Sequence, residues 1–61
     1  MRIVVRQVKV ARGNAWVLWK VEADGHPWRS RIFSYQHQAI LYRRRLMKEF
    51  PSATPVTELL P

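Results

Sequence analysis

Through the first half of the chain, apolar and polar residues alternate with a period near two; after Ser34 the period lengthens to that of a helix. Residues 2–11 read as a first strand, with Ile3 and Val5 on one parity and Val8 and Val10 on the other. Unbroken alternation cannot place all four on one face. Either a one-residue bulge near Arg6-Gln7 restores the pattern, or both faces of the strand are partly covered. Ala11-Arg12-Gly13-Asn14 reads as a tight turn, since Gly and Asn tolerate positive φ. Residues 15–23 form the clearest strand: Val17, Trp19 and Val21 point toward a core, and Trp16, Leu18, Lys20 and Glu22 point away. Asp24-Gly25 signals a hairpin that His26-Pro27 lengthens. A third strand follows over 28–33, where Trp28, Ser30 and Ile32 alternate with Arg29, Arg31 and Phe33.

Ser34 is suited to cap a helix running to Phe50, where Pro51 ends it. At 100° per residue, Tyr35, Ala39, Tyr42, Leu46 and Phe50 fall on one stripe, flanked by Ile40 and Met47. That stripe should pack on the sheet, with Leu41, Arg44, Arg45 and Lys48 on the far side and Arg43 snorkelling from the margin. The expected fold class is α+β: a three-stranded antiparallel sheet packed against one C-terminal helix, β-β-β-α. Residues 1–50 make the single domain, and 51–61, with three prolines, make a tail. Val56, Leu59 and Leu60 give that tail something to pack, on its own domain or on a partner.

Size limits what such a domain can do. A 61-residue chain without cysteine has one small core and no disulfide or thiolate metal site to support it. The pattern offers no catalytic or metal-ligating constellation. His26 and His37 lack ligand spacing and read as solvated, Glu22 and Asp24 sit at a strand end, and the two glycines form no phosphate loop. We therefore expect no enzyme, no cofactor and no metal. No signal peptide or membrane span is visible in the pattern, and we expect a cytoplasmic protein without membrane partners.

Charge changes the picture most. Eleven Lys and Arg stand against four Asp and Glu, a net +7, and arginine dominates the cations. Guanidinium groups suit forked contact with phosphate or carboxylate, so a polyanion or an acidic protein surface is the expected partner. Two basic groups stand out. Lys20, Arg29 and Arg31, with Trp16 and Leu18, are expected on the sheet face away from the helix; Arg43, Arg44 and Arg45, with Lys48, form the second group on the helix. An uncovered sheet face with aromatic residues is costly unless something binds there. The tail or a homodimer would serve as cover equally well.

From Trp19 to Leu46 the chain also carries a recognisable order: Trp19-Lys20-Val21, Asp24-Gly25, Arg31-Ile32-Phe33-Ser34, then Ala39. This resembles the β-β-β-α arm-binding domains at the N-termini of many phage and transposon integrases, and the layout is similar to plant ethylene-response DNA-binding domains. The resemblance implies DNA binding through the exposed sheet face, with Lys20, Arg29 and Arg31 as contacts and Trp16 among them. On a DNA-binding reading the helix residues Arg43, Arg44 and Arg45 would add backbone contacts. DNA is expected ahead of RNA. The alternative is an inhibitor or adaptor of phage or mobile-element type that binds a host protein, anchored by Trp16, Leu18 and Trp28.

Overall fold

A computed structural model describes residues 1–10 and 16–60, with the side chains of Val10 and Trp16 outside the description. The turn expected at 11–14 therefore lies outside the described residues. Strand β1 spans Arg2–Val10 and β2 spans Trp16–Ala23. A short 3-10 turn, Pro27–Arg29, leads into strand β3 at Arg31–Phe33. Helix α1 covers Gln36–Glu49, and strand β4 follows at Thr54–Glu58.

The expected three-stranded antiparallel sheet is a four-stranded mixed sheet in the order β3-β2-β1-β4. β2 is antiparallel to β1 and to β3, whereas β4 lies parallel to β1. The fourth strand comes from the segment read as a tail. The Ala53 N–H donates to the Phe50 carbonyl at 3.0 Å and the Thr54 N–H to the Met1 carbonyl at 2.9 Å, which turns the chain out of the helix and alongside β1. Pro55 masked this strand in the sequence; proline is tolerated there because β4 is an edge.

β1 needs no bulge. Its register with β2 runs without interruption from Ile3–Ala23 to Val10–Trp16. Ile3 and Val5 meet the helix, while Val4 lies on the opposite face beside Glu22 and Val56 and is only 3% exposed. The run Ile3-Val4-Val5 is thus the mark of a strand buried on both faces.

The core joins Ile3, Val5, Val21 and Ala23 of the sheet to Ala39 and Leu46 of α1, with Ala53 closing one end. Trp19, Phe33, Tyr42, Met47 and Phe50 pack around it. The helical stripe is as expected except at Tyr35, which precedes the helix as its N-cap and is exposed. Ser34 does not cap: the cap position is Tyr35, with no side-chain hydrogen bond. Gly25 adopts φ 76° in the turn after β2, a conformation open to glycine without strain. The third strand is shorter than expected, because Pro27 opens a 3-10 turn that removes Trp28 and Arg29 from the ladder.

Leu46 is fully buried against a core otherwise built largely of Val and Ala. Leu46→Ala should cost about 2–5 kcal/mol, comparable to much of the total stability of so small a domain. Urea unfolding followed by circular dichroism is expected to show a large fall in midpoint or the loss of a cooperative transition.

Candidate nucleic-acid interface

The ladder fixes which charged side chains share a face. Across β1, β2, β3 and β4, the face away from α1 carries Arg6, Lys20, Glu22, Ile32 and Glu58, with Val4, Val8, Leu18 and Val56 between them. Arg6 stands at its centre. Its Nη1 donates to Glu22 Oε1 at 3.0 Å and its Nε to Glu58 Oε2 at 2.9 Å, so one guanidinium ties β2 and β4 to β1. The hydrogen bond to Glu58, and then the charges of Glu22 and Glu58, raise the Arg6 pKa and hold it protonated. Lys20 Nζ lies 4.0 Å from Glu22, and Arg2 pairs with Asp24 at 3.1 Å.

This arrangement corrects the expected site. Lys20 and Leu18 do lie on the open face, but Arg31 does not. Arg31 is opposite Val21, a helix-side position, and its guanidinium sits over the Tyr42 ring of α1, 5.4 Å from the centroid. Arg29 belongs to the 3-10 turn and pairs with Glu49 of α1, while its carbonyl accepts a 2.6 Å hydrogen bond from the Tyr42 hydroxyl. Trp16 occupies the register position opposite Val10, and its side chain is outside the described residues. The tail does not cover the face; β4 extends the sheet edge, and the Leu60 N–H donates to Gln7 Oε1 at 2.8 Å.

The apolar anchors are also separated. Trp28, 73% exposed, packs edge-on against His26 beyond the C-terminal end of β2, whereas half-buried Leu18 lies near the other end of that strand, five residues before Ala23. His26 is not a freely solvated histidine: it is half-buried between Trp28 and Phe50, and its Nδ1 lies 3.1 Å from the Asp24 carbonyl oxygen. His37 is exposed and stacks on Tyr35.

All four acidic side chains are engaged by Arg2, Arg6 and Arg29, with Lys20 close to Glu22. Apart from Lys9 of β1, the exposed cations without a carboxylate partner among the described residues collect elsewhere. Arg31 of β3 and Arg44, Arg45 and Lys48 of α1 are all exposed and all on the helix-bearing side. Arg43 turns the other way, its Nη1 donating to Thr57 Oγ1 of β4 at 2.9 Å. Of the expected helix trio, Arg44 and Arg45 thus share a surface and Arg43 braces the far edge.

Two adjoining hollows shape that surface. Arg31, Phe33, Leu41, Tyr42 and Arg45 line a pocket of about 210 Å³ between β3 and α1. Leu41, Arg44, Arg45 and Lys48 line the second, along the outside of the helix. No carboxylate lines either. The sequence does not announce the meeting of Arg31 with Arg45, because it depends on β3 being an edge strand whose helix-side parity begins after the 3-10 turn. Leu41 was the available signal: an apolar residue on the polar face of the helix, 58% exposed.

Comparison of the chain with protein-family models, with curated proteins and with solved structures finds no match. Among the described residues no group of His, Cys, Asp or Glu is arranged to hold a metal ion, and no helix is long and apolar enough to cross a membrane.

The Arg6 clasp is electrostatic and exposed, so salt should weaken it. Arg6→Ala is expected to lower the urea midpoint at low ionic strength, and the difference from the parent chain should shrink as salt is raised.

Proposed function

We propose that this chain is a non-catalytic nucleic-acid-binding module, and that its binding surface is the helix-bearing side, with Arg31, Arg44, Arg45 and Lys48 as the principal contacts. The observation that carries this reading is the segregation of charge. The acids are paired within the open sheet face and with Arg29, and among the described residues this leaves Arg31, Arg44, Arg45 and Lys48 clustered along β3 and α1 without a carboxylate partner. Clustered, unneutralised guanidinium groups attract phosphate at long range and contact it in a forked geometry. Binding through the open sheet face is disfavoured, because an incoming phosphate there would have to displace Glu22 and Glu58 from Arg6. DNA is the first target to test, since the resemblance to integrase arm-binding domains implies DNA, although through the sheet face rather than the helix-bearing side.

A second reading, an adaptor that binds an acidic protein surface, draws on Trp28 and Ile32, which are 73% and 60% exposed. Salt dependence on DNA decides between them. Four phosphate contacts give a slope of log K against log salt of about −3.6, at roughly 0.9 per contact on duplex DNA. In fluorescence-anisotropy titrations, R44A/R45A should weaken binding and flatten the slope by about 1.8, while Arg2→Ala, whose partner is Asp24, should leave the slope unchanged. A chain that binds no nucleic acid in a salt-sensitive way overturns the proposal and leaves the adaptor reading.

A further inference from the structure

The pocket between β3 and α1 contains more than phosphate binding requires. Its floor is aromatic and apolar: the Phe33 and Tyr42 rings meet at 5.5 Å between centroids with a 50° tilt, and Leu41 forms part of the wall. The exposed Arg31 guanidinium lies over the Tyr42 ring, so that ring supports a planar cation at the mouth. Arg45 stands on the other element of the same pocket, one helical turn beyond Leu41. At about 210 Å³ the space is below the 300 Å³ or more of drug-sized pockets and suits a single ring system.

A paired duplex presents phosphates and sugars to such a surface and keeps its flat apolar groups inside the stack. An unpaired strand offers its bases, which stack on aromatic rings and on guanidinium planes. We propose that the Arg31–Leu41–Arg45 pocket takes one unpaired nucleobase, stacked on the Arg31 guanidinium and packed against Leu41. The flanking phosphates run along Arg44, Arg45 and Lys48 in the adjoining hollow. This inference rests on the nucleic-acid reading above and narrows it to strands with at least one exposed base, such as a single strand, an overhang or a bulge.

The test uses the full chain and two labelled DNA duplexes with the same number of phosphates, one carrying a single-base bulge and the other an abasic residue at the bulge. The base-bearing bulge should bind about tenfold more tightly, the order of one base–side-chain stack. Arg31→Lys keeps the charge but loses the plane, and Leu41→Ala shortens an exposed side chain on a helix; each should bring the ratio toward one, with circular dichroism verifying the fold. Equal affinity of the parent chain for the two bulges overturns this inference while salt-sensitive binding to both sustains the broader reading. Absence of salt-sensitive binding to either overturns both. A tenfold ratio that survives in both variants places the base elsewhere and overturns the assignment of the pocket.

Discussion

Strand β1 has to be covered on both of its faces, and most of the architecture follows from that constraint. On one side α1 supplies Ala39 and Leu46 over Ile3 and Val5. On the other there is no second layer, and Val4 is buried within a surface of long side chains crossed by the Arg6 guanidinium. The strand therefore needs neighbours on both edges through residues 2–6, which β2 and β4 provide. In a chain of this size, where the buried area is small, a central strand with full pairing replaces the second layer that a larger domain would use.

The same solution determines the electrostatics. The register that closes the sheet puts Glu22 and Glu58 on the face of Val4, where Arg6 pairs with both, and Glu49 is held by Arg29 at the C-terminal end of α1. The chain holds only these three glutamates and Asp24 against its cations, and among the described residues Arg31, Arg44, Arg45 and Lys48 are left without a carboxylate partner on the opposite side. The polarity of the molecule is thus a by-product of how the sheet is closed, and it inverts the assignment suggested by the strand pattern alone. The exposed β surface is closer to neutral and knitted together; the helical surface carries the field.

Period and composition made much of the fold legible. β1, β2 and α1 are where alternation and the 3.6-residue stripe put them, and the helix ends before Pro51 because proline cannot continue it. Three features were not legible, each for a local reason. Ile3-Val4-Val5 and Val8-Val10 break a one-sided alternation, which leaves a bulge and cover on both faces equally open; the unbroken register and the burial of Val4 opposite to Ile3 and Val5 decide for the second. Thr54–Glu58 contains Pro55 and lies between Pro51 and Pro61, a composition that reads as a tail, yet an edge strand accepts the proline. The 3-10 turn at Pro27–Arg29 shortens β3 and puts Arg31 on the helix side, so the chemistry of the site depends on a turn whose exact length alternation does not encode. The charged helix face that carries Arg44 and Arg45 is visible from the sequence, whereas its adjacency to Arg31 depends on tertiary packing.

The two sheet borders carry a further consequence. One border is three residues long and bears an arginine; the other contains Pro55, which has no amide hydrogen to offer. Neither gives an approaching strand a complete row of donors and acceptors, and short, charged or proline-bearing borders are how small β proteins avoid uncontrolled self-addition. Those two borders are therefore poor templates for a further strand, from this chain or from any other.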